Sequence, residues 1–294
     1  MLRLPLKVYC PDAKKVKVRY VMKGFEDVGV PLVLSRKLTN MAIDSEVYPF
    51  DIVYRDKIYH VFFDITSATD KMHPEFMDGK NFYFKVHTKK EDLGKFPRFY
   101  PMAQSGGNKK LIKNLKEMRS DGKFLYDVHG VFSNSDGGLR MRTIALARKQ
   151  DWKTFGWVSD FPNRHQVPKN IQGRKMNYFD HLRTQSRSRL CLALPGGIRK
   201  SYLTFRHVEI WGLGRCCLTT NPTNRFILGE PKNCWAEFKE DLSDFVDVVE
   251  YYLSHPQERE AIAQNGKQYF ERYLTPKAHV EYIMDTILRG SEDV

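Results

Sequence analysis

Apolar positions along this chain fall into two alternating periods. Short apolar runs such as LPLKVYC (4–10), VPLVLS (30–35) and KNFYFKVH (80–87) predict strands. FDIVYRDKIYHVFFDI (50–65) alternates on both sides of Arg55-Asp56-Lys57 and predicts a hairpin or two strands. AKKVKVRYVMKGFEDV (13–28), with Val16, Val18, Val21 and Phe25, predicts a helix that ends near Gly29. FPRFYPMAQSGGN (96–108), rich in Pro, Gly and aromatics, reads as a loop, and residues 108–122 as a helix closed by Gly122. A second series then starts: strand 123–133, turn NSDGG (134–138), helix 139–150, strand 153–159, helix 177–189, strand 190–196, helix 201–214 and strand 215–222. Residues 241–274 predict two helices, with Asp241 or Ser243 as N-cap and Pro256 as the break, and 275–288 a closing helix.

Alternating strands and helices imply mostly parallel sheets covered by helices on both faces. The series runs twice, with a loop-rich boundary near residues 100–123. The expected fold class is therefore α/β, with two Rossmann-like domains facing a cleft. The expected division is an N-terminal domain over 1–120, a C-terminal domain over 121–275, and a last helix over 276–294 that packs back on the first domain. Ligands in such sheets bind beyond the carboxyl ends of the strands.

The richest chemistry lies in LCLALPGGIRKSYLTFRHVEIWGLGRCCLTT (190–220). Gly196-Gly197 lets backbone approach an anion closely at the mouth of a helix, where free N–H groups favour phosphate. Ser201 can cap that helix or donate a hydroxyl, and Tyr202 adjoins it. Arg206 and Glu209 are spaced i, i+3 and share a helix face. A guanidinium fork matches two oxygens of a diphosphate, and a carboxylate suits ribose hydroxyls. A plain turn followed by an intrahelical ion pair explains the same spacing. A second cluster, NSDGGLRMR (134–142), puts Gly138 before a helix with Arg140 and Arg142 in its first turn. Cations there are unfavourable unless an anion is near; two solvated arginines are the other reading. Neither a GxxxxGK[ST] loop nor a GxGxxG fingerprint is present.

The stretch Leu190–Thr220 resembles the donor-binding core of GT-B glycosyltransferases and is similar to exostosin-like and protein O-glucosyltransferase-like families. In those a glycine turn is followed by Ser, Arg, Glu, a further Gly and a strand. Here the counterparts are Gly196-Gly197, Ser201, Arg206, Glu209, Gly212 or Gly214, and CCLTT. The resemblance spans roughly residues 125–290 and includes the helix-rich tail. It implies a nucleotide-sugar donor, by analogy UDP-sugar, used as co-substrate with no further cofactor. Gly138, Arg140, Arg142, Gly196, Gly197, Ser201, Tyr202, Arg206 and Glu209 would bind that donor. The acceptor would be a glycan or other carbohydrate, and transfer would be inverting. Such a reaction needs a base for the acceptor hydroxyl. FFDITSATDKMH (62–73) offers Asp64 at a strand end, with Asp70 and His73 as alternatives. Lys85 either offers its ammonium to an anion or faces solvent.

Charge changes the picture of the partner. The net charge of +13 favours an anionic partner without choosing among nucleotide, nucleic acid and membrane surface. A second acceptor class is therefore duplex DNA bearing hydroxymethylated pyrimidines, with the basic aromatic segment 96–110 as a grip. A non-catalytic nucleic-acid-binding protein is the reading from outside enzymology. The sequence holds no Asp-x-Asp, no HExxH and no CxxC, so no metal site is expected. The five cysteines sit in apolar surroundings and are expected to be reduced core residues. With no run of about 18 apolar residues and no signal-like start, the chain is expected to be cytoplasmic.

Overall fold

A computed structural model describes residues 6–12, 16–41, 46–66, 72–86, 88, 90–102, 115, 118, 123–134, 138–162, 167–173, 176–195, 203–222, 229 and 231–290. The chain divides into two compact units. The first comprises Met1–Lys109, Phe226–Glu230 and Arg272–Val294; the second comprises Lys110–Arg225 and Pro231–Glu271.

The first unit holds β1 (Leu6–Cys10), α1 (Val16–Asp27), β2 (Leu32–Leu34), α2 (Arg36–Met41), β3 (Val47–Tyr54), β4 (Lys57–Asp64), β5 (Phe82–Val86) and β6 (Phe99–Met102). The sheet order is β2-β1-β3-β4-β5-β6, and β3 runs antiparallel to its neighbours β1 and β4. The hairpin between β3 and β4 turns on Arg55 and Asp56, both at positive φ (47° and 61°), as the tight turn between twisted strands requires. Strand alternation sorts the side chains. Phe50, Ile52, Val61, Phe63, Phe82 and Phe84 pack against α1 and against the last helix of the chain. Phe62, Tyr83 and Phe99 face the other way and are covered by Phe76, Leu93 and Phe96 from short turns. Two elements differ from the sequence reading. α2 follows β2 directly, and β6 occupies part of the segment expected to be loop. Among the described residues β6 pairs only with β5, and that edge position explains why it tolerates Pro101.

The second unit holds β7 (Tyr126–Asn134), α3 (Leu139–Ala147), β8 (Thr154–Pro162), α4 (Tyr178–Ser186), β9 (Ser188–Leu192), α5 (Phe205–Gly212), β10 (Cys216–Thr219), β11 (Ala236–Glu237), α6 (Phe245–Ser254) and α7 (Pro256–Tyr269). Its sheet has the order β11-β10-β9-β7-β8, with every pair parallel. Val128, Leu190, Leu192, Cys216 and Leu218 face α3 and α6. The alternate positions His129, Cys191 and Cys217 lie on the opposite face, where α4 and α5 contact the strands. All five cysteines are buried free thiols. The N-cap of α6 is Asp244, three residues after Asp241, one of the two caps expected.

α8 (Pro276–Arg289) closes the chain within the first unit, against α1. Contact is close because Gly24 has no side chain: a Cβ there would lie 2.2 Å from the Pro276 carbonyl oxygen. Tyr20 and His279 hydrogen-bond across the same seam. No helix among the described residues is long and apolar enough to cross a membrane.

Candidate functional site

In the second unit the chain leaves β7 through α3 to β8 on one side, and returns through α4 to β9 on the other. The strand order therefore reverses between β7 and β9, and the carboxyl ends of those two strands form the switch point where α/β sheets place ligands.

Two guanidinium groups hold that point. Arg140, at the start of α3, is buried; its Nη1 donates to the Ser133 carbonyl (3.0 Å) and its Nη2 to the Leu194 carbonyl (2.9 Å). It thereby ties the end of β7 to the segment after β9, and it lies over the Phe132 ring. Gly138 precedes it as the N-cap of α3 at φ 111°, a conformation that strains any side chain. Arg142 is exposed on the same helix, with Nη2 3.5 Å from the Glu240 carbonyl oxygen.

Arg206 reaches the same strand from α5. Its Nη1 donates to Glu209 Oε2 (2.5 Å) and contacts His181 Nε2, and its Nη2 donates to the Val131 carbonyl (3.3 Å). Glu209 is 1% exposed, whereas the Arg206 side chain keeps 28%. Burial alone would push the Glu209 carboxyl up; Arg206 and His181 outweigh it and hold the group below the ordinary carboxylate value. His181 and Glu209 approach to 3.5 Å. Burial first, then the Arg206 charge, keeps His181 neutral below its usual range.

α5 itself starts later than the sequence suggests. Its N-cap is Thr204, whose N–H donates to His207 Nδ1 (2.9 Å), so the helix mouth stands eight residues after Gly197 and Ser201 is not the cap. His207 Nε2 meets Thr219 Oγ1 (3.1 Å), and that hydroxyl donates to the Ala193 carbonyl (2.7 Å). The relay joins the start of α5 to the ends of β10 and β9. Burial holds His207 neutral, with its pKa pushed down to about 3. Gly214, at φ 64°, ends α5: its N–H meets the Trp211 carbonyl, and the Arg215 N–H meets that of Ile210. Gly196, Gly197, Ser201 and Tyr202 lie outside the described residues.

In the first unit Asp64 and Lys85 are register partners at the carboxyl ends of β4 and β5. Both are buried, Asp64 completely. Asp64 accepts from Tyr83 Oη, Lys85 Nζ (both 2.7 Å) and the Thr66 N–H (2.8 Å), and Lys85 also donates to Thr66 Oγ1 (2.6 Å). Lys85 therefore meets an anion, not solvent. His73 pairs through Nδ1 with Glu75 Oε1 (3.2 Å), and its buried Nε2 has no hydrogen-bond partner among the described residues. Asp70 lies outside the described residues. Among the described residues no group of three His, Cys, Asp or Glu side chains is arranged to hold a metal.

Two α/β units, the second with a doubly wound parallel sheet, define the GT-B class of fold. The chain belongs to the glycosyl transferase-like family, whose model matches residues 110–285, more than half its length. The crystal structure of a glycosyltransferase from Rickettsia africae ESF-5 shares the fold, with a TM-score of 0.50 at 9% identity over 98% of this chain and 98% of that one. Sucrose-phosphate synthase from Thermosynechococcus elongatus gives 0.49 at 9% identity over 72% of this chain, which spans only 59% of that protein. Anabaena HepE in complex with UDP gives 0.48 at 11% identity, over 93% of this chain and 77% of that one. No curated protein matches the chain in sequence.

Proposed function

We propose that this protein transfers a sugar from a nucleotide-sugar donor, a UDP-sugar, to a hydroxyl of a glycan or other carbohydrate. The observation that carries the reading is the partly exposed Arg206 guanidinium, anchored by buried Glu209 at the switch point of a sheet in a glycosyl transferase-like chain. Its Nε–H and one Nη2 proton have no acceptor among the described residues, and that edge suits two oxygens of a diphosphate. Fixed positive charge at the leaving diphosphate lowers the barrier to its departure. Glu209, whose sequence position suits ribose hydroxyls, is buried and serves here as the anchor of Arg206. Gly138 and Arg140 hold the end of β7 in shape, Arg142 adds charge, and Gly196, Gly197, Ser201 and Tyr202 are assigned to the donor on the resemblance of their sequence alone.

Inverting transfer requires a base on the acceptor. Of the three candidates we assign it to His73. All three donors on Asp64 come from its own sheet and the turn after it, whereas His73 donates Nδ1–H to Glu75 and so carries its lone pair on Nε2. Without an Asp-x-Asp motif, the diphosphate charge falls to guanidinium groups, and activity should survive EDTA.

The test is a thermal-shift panel of UDP, GDP and ADP with their sugars. A ligand that binds only the folded state at a hundred times its Kd stabilises by about 2.7 kcal/mol. The expected result is a rise confined to one nucleotide and its sugar; no response to any of them overturns the reading. The net charge of +13 is compatible with a second acceptor class, DNA with hydroxymethylated pyrimidines. Its KM would rise steeply with salt, while that of a glycan would not.

A further inference from the structure

The sequence treats Arg206 and Glu209 as a pair, but the structure makes them part of a triad with His181 on α4. Arg206 has five N–H donors. Its Nη1 is turned inward to Glu209 Oε2 and His181 Nε2, and Nη2 gives one proton to the Val131 carbonyl. The inward contacts decide which edge of the guanidinium is left outward. Because a guanidinium only donates, His181 Nε2 must accept, so the ring is neutral with its proton on Nδ1. Among the described residues that buried Nδ1 has no hydrogen-bond partner, nor have His129 Nδ1 and both amide atoms of Gln185 on the same face of the sheet. Such orphaned polar atoms cost free energy and are retained here beside a charged pair.

We propose that His181 is a positioning residue of the donor site: it fixes the Arg206 fork so that the Nε–Nη2 edge meets the diphosphate. This rests on the nucleotide-sugar reading above. The groups that face the His181 ring are Arg206 and Glu209 from α5, His129 from β7 (ring centroids 5.1 Å apart) and Tyr178 on its own helix. A proton on Nε2 would point at Arg206 Nη1, a donor against a donor, and would swing the imidazolium to Glu209. Acid should therefore release Arg206 and weaken the donor.

The experiment is calorimetric titration of UDP and GDP into the full chain and into His181→Leu and His181→Gln, with donor KM and kcat measured alongside. Leu offers no acceptor, so Kd and donor KM should rise about tenfold, the scale of one hydrogen bond to a charged group, with kcat little changed. Gln offers an amide oxygen and should restore most of the affinity. The wild type should lose affinity as pH falls through the range of its imidazole, and His181→Gln should not. If the Leu variant does not fold, the pH comparison of wild type with His181→Gln decides alone. Wild-type affinity in both variants, or the same acid loss in His181→Gln, overturns the role of His181. Failure of the wild type to bind any nucleotide overturns the nucleotide-sugar reading itself, a separate result.

Discussion

Each unit places a cation–carboxylate pair at the carboxyl edge of its sheet, and the two pairs are built for different ends. In the first, Lys85 and Asp64 are both sealed from solvent and share the hydroxyls of Tyr83 and Thr66. In the second, Glu209 is equally buried, but the side chain of its partner Arg206 stays 28% exposed, with orphaned histidine and amide nitrogens nearby. A closed network of satisfied partners specifies a fold. A pair that keeps one donor edge outward is half of a binding site.

The largest expected effect breaks the sealed pair. Lys85→Met leaves Asp64 charged and buried, so urea unfolding should show a loss of about 3–5 kcal/mol. Nucleotide affinity of the remaining folded protein should be unchanged. A substitution there that altered nucleotide Kd instead would erase the distinction between the two pairs.

Acid should separate the units next. The second holds His129, His181 and His207 below their usual range by burial, while His279 alone does so among the described residues of the first. These rings are neutral when folded and protonate near 6.5 when unfolded, so unfolding takes up protons. Stability is whole above that value and falls as pH drops below it, by about 1.4 kcal/mol per pH unit for each ring, a fall that continues to about 3 for His207 and His279. Hydrogen exchange at pH 7 and pH 5 should show the larger loss of protection in the second unit; equal loss would contradict the assignment.

A third effect tests the seam of α1 and α8. Gly24→Ala drives a methyl into the Pro276 carbonyl and Val280 Cγ2, and overpacking of that kind costs about 1–3 kcal/mol, measurable as a lower urea midpoint. The smallest effects divide the arginines of α3. Arg140→Ala should cost about 1–3 kcal/mol by leaving two carbonyls unpaired, whereas Arg142→Ala should leave stability within about 0.5 kcal/mol and weaken UDP only slightly at low salt.

The parts of this fold that follow from local pattern were readable from residue types alone. Alternation on both sides of Arg55-Asp56-Lys57 marks β3 and β4, the apolar run KNFYFKVH marks β5, and the Arg206–Glu209 spacing marks one helix face. What sequence could not supply was register and distance along the chain. That Asp64 opposes Lys85 depends on the parallel pairing of β4 and β5. His181 stands 25 residues before Arg206 on another helix. Its one local signal is that His181 and Gln185 lie a turn apart on the same side of α4 as Leu182, polar groups on a buried face. The cap of α5 was misplaced because Ser201 and Thr204 are both acceptable N-caps; His207, three residues after Thr204, is what favours the later start. β6 was hidden by Pro97 and Pro101.

The most direct test of the account is the equilibrium affinity of UDP for the wild-type protein and for Arg206→Ala at equal ionic strength. If the open pair of the second unit receives the diphosphate, the wild type binds and the variant loses about a hundredfold or more, as loss of charge-assisted hydrogen bonds implies. Equal affinity in the two proteins would contradict it.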